Sequence, residues 1–189
     1  MAPITSSIEI NASPEVVREK FLDFKSIPSY HKTFITSLTP LPQGKNGIDL
    51  KPGDKMSNSL GGTNVTPTIE VLFPLYSPTL PNSLHPSTPP TTQPPPPNKP
   101  QENSALEFRW RGPWPYAYLN LLEGIHIFRF LPSEKNPGGC MFIQEEDFGG
   151  LLWWVMELES AREGTRGKFV EFNEDFRGWV ESGVANART

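Results

Sequence analysis

Three polar residues of this 189-residue chain stand at spacings that could bring chemistry together: His126, Gln144 and Glu146. His126 belongs to an alternating run, residues 123–131. Side chains in a strand alternate with period two, so Gly124, His126, Phe128 and Phe130 share one face. A second run, residues 139–148, groups Cys140, Phe142, Gln144, Glu146 and Phe148 in the same way. Turn formers fill residues 132–138, which predicts an antiparallel hairpin. With Leu131 set against Gly139, His126 lies across from Gln144 and diagonal to Glu146. In that register a carboxylate orients the imidazole, which then acts as a general base near neutral pH. Enolisation or aldol-type ring closure needs such a base and a donor for the enolate oxygen, and Gln144 or a Trp indole supplies one. The competing reading is structural: a histidine bonded to glutamine or glutamate is also an ordinary member of a sheet.

The elements that must hold this trio are legible around it. A long helical pattern ends near residue 181, with Phe169, Phe172, Phe176 and Trp179 recurring at three- and four-residue spacing as one aromatic stripe. Gly164 and Gly167 weaken that helix by roughly 1 kcal/mol each relative to Ala, which predicts a kink. An aromatic sheet face opposed by an aromatic helix face makes either a solid core or a ligand cavity. The sheet wall of such a cavity is Phe108, Trp110, Phe128, Phe142 and Phe148, and the helix wall is Phe172, Phe176 and Trp179. After a strand at 105–111, Gly112, Pro113, Trp114, Pro115 and Tyr116 break the ladder, and Trp114 reads as a lip over the pocket.

Towards the N-terminus, a strand at 5–10 precedes a helix start in which Ser13 caps, Pro14 takes the first helical position and Glu15 meets the dipole. That helix runs to about residue 24, with Val16, Val17, Phe21 and Leu22 towards the core. A short second helix at 26–31, a strand at 34–38, a loop at Gly44 and Gly47, and strands at 55–60 and 68–75 follow, with Gly61 and Gly62 as a turn. The later strand carries Ile69, Val71 and Phe73 on one face. From Pro74 to Pro100 lie half of the 22 prolines and few large apolar residues, so this stretch cannot bury enough surface to offset its ordering entropy. Residues 77–103 read as a disordered or extended insertion in one domain spanning 1–189. A passive insertion is the first reading; a polyproline contact for a partner protein is the second.

This order, a strand, two short helices, a six-stranded meander and a long terminal helix, is that of an α+β helix-grip fold. In it the sequence resembles the START-like and Bet v 1-like proteins, including the polyketide cyclase and dehydrase group. The resemblance rests on the run from Ile10 to Val16, on Leu22 to Phe24, on Trp110 to Gly112, and on Glu123 to Phe128. It continues through Gly138 and Gly139, Phe142 to Leu151, and Thr165 to Glu181. It implies a curved antiparallel sheet wrapped around the terminal helix, with an apolar cavity for a lipid, a sterol or an aromatic metabolite. A cyclase-like enzyme acting on a polyketide through the His126 and Glu146 pair is the alternative. The chain departs from the family in its Pro-rich insertion and in Leu151, Leu152, Trp153 and Trp154, both read as reshaping a cavity mouth.

Composition narrows the partners. A formal net charge of -4 argues against nucleic acid, and Arg109 and Arg111, flanking Trp110, read as a solvated outer face. Cys140, the single cysteine, permits no internal disulfide and reads as a buried inert thiol. No basic and apolar leader is recognisable, and no apolar run approaches about 18 residues, so a soluble cytoplasmic protein is expected, with the sequons at Asn11 and Asn64 unused. His31, His85 and His126 are too scattered for a metal site, and no Gly-rich loop opens a helix for a nucleotide, so no metal or cofactor is expected. The oligomeric state is left open.

Overall fold

The first helix begins where its capping chemistry predicts. In the computed structural model, which describes residues 2–72, 106–113 and 122–186, β1 (Ile4–Ile10) leads into α1 (Pro14–Leu22), where Ser13 Oγ accepts from the Val16 amide. Val17, Phe21 and Leu22 are buried, but Val16 is 36% exposed, correcting the expectation that it faces the core. Adjacent helical positions point about 100° apart, so Val16 turns away when Val17 faces inward. α1 also stops two residues early: the Asp23 amide bonds back to Lys20, and a 3-10 turn over Phe24–Ser26 leads into the four-residue α2 (Ile27–Tyr30).

β2 (Ile35–Leu41) pairs with β3 (Lys55–Leu60), and Gly61 and Gly62, both at positive φ, reverse the chain into a short β4 (Thr63–Val65) that the alternation did not predict. β5 (Thr68–Leu72), β6 (Leu106–Pro113), β7 (Glu123–Pro132) and β8 (Cys140–Gly149) follow, then a 3-10 turn over Trp153–Glu157 and α3 (Glu159–Asn186). α3 runs as one helix through Gly164 and Gly167. Phe73, the Pro-rich stretch at 77–103 and the lip carrying Trp114 lie outside the described residues. Leu72 is set against Phe108, so β5 and β6 are direct neighbours on either side of that stretch.

The sheet is antiparallel, in the order β1-β8-β7-β6-β5-β3-β2 with β4 beside β3, and it curls around α3. This is the helix-grip architecture expected from the sequence. Its floor is an aromatic cluster centred on Phe21, whose ring lies 4.5 Å from Phe128, 5.6 Å from Phe108 and Phe130, 5.9 Å from Phe176 and 6.0 Å from Phe142. The outer face of the sheet carries charge, as expected for Arg109 and Arg111. Arg111 bridges Glu70 and Glu123; Arg129 bridges Glu107 at 3.0 Å and Glu145 at 2.9 Å; Arg109 pairs with Glu107 at 2.6 Å.

The hairpin register differs from the expected one by two residues. Pro132, not Leu131, closes the ladder against Cys140, because Ser133 folds the connection on itself: its Oγ accepts from the amides of Lys135 and Asn136, and its N–H bonds Gly139 O at 3.0 Å. His126 therefore stands directly opposite Glu146, and Phe128 opposite Gln144. Leu72 and Leu106 lie at the sheet end where β7 finishes, whereas Leu151 follows β8 at the opposite end.

α3 is latched to the N-terminal third. His31 Nδ1–H donates to Asp175 at 2.8 Å, while its Nε2 accepts from the Phe34 amide at 3.0 Å, which fixes the tautomer of this fully buried ring. The Asn11 amide reaches Glu181 at 2.9 Å, and Arg162 holds the Ala2 and Pro3 carbonyls. Asn173 donates across to Ser6 of β1 at 3.1 Å.

Candidate functional site

One row of inward side chains crosses the middle of the sheet: Glu146 on β8, His126 on β7, Trp110 on β6 and Ile69 on β5. Gln144 lies one inward position along β8, and the register that sets it diagonal to His126 makes the contact: Gln144 Nε2 sits 2.9 Å from His126 Nε2. The directly opposed pair stays apart, with Glu146 Oε2 3.9 Å from His126 Nδ1, too long for a hydrogen bond. Among the described residues, His126 Nδ1 and Gln144 Oε1 have no hydrogen-bond partner.

Aromatic rings wall this trio. Phe128 stacks on the imidazole at 4.5 Å, Trp110 lies at 5.0 Å, and Phe169 at 5.2 Å and Phe34 at 6.4 Å approach from α3 and from the residue before β2. All three polar side chains are buried. Burial pushes the imidazole down to about 3 and the Glu146 carboxyl up to about 8, the Lys168 ammonium pulling the carboxyl the other way. At neutral pH the site therefore holds an uncharged histidine and a carboxyl that stays largely protonated. Lys168 itself is exposed on α3, its Nζ 5.9 Å above the Phe34 ring.

The remaining residues read as cavity walls divide by height. Phe108, Phe142 and Phe176 belong to the solid floor around Phe21, with Phe142 and Phe176 5.1 Å apart. Phe172 meets His31 edge-on at 5.0 Å. Trp179 is only partly buried and stacks on Tyr30 at 4.8 Å under the Lys20 ammonium. Phe148 sits opposite Gly124, above the polar row. Cys140 is fully buried, its thiol pushed up to about 12 by burial and by nearby Glu15 and Glu9.

Sequence reasoning passed over Phe34 and Lys168 as site residues, and left Phe169 in the stripe without a role. On β3, Asn58 is fully buried with both amide atoms unpartnered among the described residues. A separate groove of about 550 Å³ runs between α1 and β2, rimmed by Lys20, Asp23, Lys25, Lys45 and Asn46; none of the predicted site residues lines it. Among the described residues, no cluster of three or more His, Cys, Asp or Glu could hold a metal, and no helix is long and apolar enough to cross a membrane.

A curled antiparallel sheet gripping a long C-terminal helix, with a few polar groups among inward-facing aromatics, defines a helix-grip protein. The same fold recurs in solved structures of low sequence identity. A hypothetical protein of Helicobacter pylori superposes with a TM-score of 0.65 at 12% identity, over 95% of this chain and 88% of that one. Norcoclaurine synthase from Thalictrum flavum, solved with dopamine and hydroxybenzaldehyde, gives 0.55 at 11% over 95% and 86%. Ara h 8.0201 gives 0.55 at 10% over 96% and 98%. No family model and no curated protein matches the sequence.

Proposed function

We propose that this protein binds a small hydrophobic ligand, such as a lipid, a sterol or an aromatic metabolite, between the sheet and α3, with the ligand's polar end at His126, Gln144 and Glu146. The observation that carries this reading is the trio itself: buried uncharged side chains, two with unpartnered polar atoms, enclosed by aromatic rings. A buried polar atom without a partner costs about 1–3 kcal/mol, and an orienting ligand group recovers it. Norcoclaurine synthase, of the same fold, was solved with small aromatic compounds. The test is a panel of apolar compounds followed by tryptophan quenching and thermal shift. Several members should quench emission and raise Tm, and native mass spectrometry should detect a copurifying small molecule. A panel without effect on either readout removes the support.

A second reading, an enzyme for enolisation or aldol-type closure of a polyketide-like substrate, is favoured by the carboxyl at about 8, which exchanges a proton near neutral pH. An imidazole at about 3 is too weak a base, so the proton-transfer role moves from His126 to Glu146. Glu146→Gln should then lower turnover by about 10²-fold or more while ligand binding survives. Unchanged turnover in that variant would sink the enzyme reading and leave the binder.

A further inference from the structure

The gap between His126 and Glu146 specifies the ligand's polar end more narrowly. The two atoms are 3.9 Å apart. That is too far for a direct bond, yet a single oxygen about 2.8 Å from each would close the gap. We infer that this oxygen belongs to an uncharged hydroxyl, so the ligand is an alcohol or phenol on an apolar body; the inference rests on the binding role proposed above.

The choice of hydroxyl follows from what the site can offer. Gln144 engages His126 Nε2, and its amide can be turned either way. If the amide N–H donates to Nε2, the imidazole proton sits on Nδ1 and the site presents a donor there. If the amide oxygen accepts from Nε2–H, Nδ1 is a lone pair and the site presents an acceptor. A hydroxyl serves both cases, because it donates and accepts. An ether accepts in the first case only, and in neither case has it a proton to donate to the carbonyl oxygen of the Glu146 carboxyl. A carboxylate fits neither, because it would bring an unpaired charge beside an uncharged carboxyl in a ring-lined interior, which is costly. Lys168 is the cation that acts on Glu146, but its side chain lies exposed on α3. Phe34 and Phe169 cover the imidazole from the helix side, so a ligand reaches it by moving one of those rings.

The experiment compares matched head groups at pH 6 on the full chain. On a naphthalene body these are 2-naphthol, 2-methoxynaphthalene and 2-naphthoate; on a straight chain, dodecanol, its methyl ether and dodecanoate. Dissociation constants come from tryptophan quenching and calorimetry. The hydroxyl member should bind at least tenfold tighter than its ether and its carboxylate on one or both bodies. His126→Phe, which keeps a ring in place, should reduce that preference to under threefold, the hydroxyl member losing most of the affinity. If His126→Phe fails to fold, Glu146→Leu makes the same comparison. Equal binding of all three head groups, as expected if only a buried water occupies the gap, overturns the inference and leaves the apolar pocket standing. Tightest binding of the carboxylate overturns it in favour of Lys168. Absence of binding by all six compounds overturns the inference and the binding role together.

Discussion

Between about pH 4.5 and 6.5 the unfolding free energy should be flat, and it should fall on either side of that window. Two buried groups with opposite displacements produce this shape. His126 has a folded pKa lowered from 6.5 to about 3 by burial, so between those values the unfolded chain binds a proton that the folded chain refuses. Stability there rises with pH. Glu146 is raised from 4.5 to about 8, so between those values the folded chain keeps a proton that the unfolded chain has released. Stability there falls with pH. Each slope is about 1.4 kcal/mol per pH unit, and where the intervals overlap the slopes cancel. Outside the overlap one slope survives on each side, amounting to roughly 2 kcal/mol between pH 6.5 and 8 and a similar loss between pH 4.5 and 3. Asp54, lowered by Lys45, adds only to the acid side, and Cys140 acts only above pH 9. Urea unfolding from pH 3 to 9 measures the curve. Glu146→Gln should abolish the alkaline arm, and His126→Phe most of the acid arm. An alkaline arm that survives in Glu146→Gln would show that Glu146 ionises normally in the fold.

Phe21→Ala should cost about 3–5 kcal/mol, the larger of the two effects. From α1, Phe21 touches the following 3-10 turn, β6, β7, β8 and α3 at once, through Phe24, Phe108, Phe128, Phe130, Phe142 and Phe176. Removing it opens a void that six neighbouring rings cannot collapse into, so the cavity cost adds to the lost transfer energy. Against a usual total of about 5–15 kcal/mol, that loss is a third or more of the stability. Phe21→Leu should cost far less, since it refills most of the volume. Chemical denaturation of both variants decides the matter, and a loss below 1 kcal/mol for Phe21→Ala would mean that the floor is loosely packed.

How far the sequence could be read depended on which physical rule each feature obeys. Strand alternation assigned every inward residue of β7 and β8 correctly, because burial is a property of a face. It was blind to the two-residue slip that moved Glu146 opposite His126, because a slip by two leaves each face unchanged. That register is set by Ser133 holding two amides of the connection, a local geometry that periodicity does not encode. The cap at Ser13 and the stripe from Phe169 to Phe176 were legible for the same reason as the faces: each is a short-range rule. The Asn173 to Ser6 bond and the His31 to Asp175 bond join residues more than 140 positions apart, and no local pattern announces them. The ionisation of the trio was read incorrectly for a related cause. A general-base histidine was assumed to keep its ordinary basicity, which four surrounding rings remove.

The pairing of β1 with β8 has a consequence for synthesis. β1 is made before the other described strands, yet its hydrogen-bonding partner, residues 140–149, follows six of them. While the ribosome adds residues at about 5–20 per second, β1 waits many seconds with a bare edge. The helix that covers the sheet is later still. The fold can therefore close only after nearly all of the described chain has emerged, and a nascent chain stalled in the middle strands presents a sticky intermediate for a chaperone to shield.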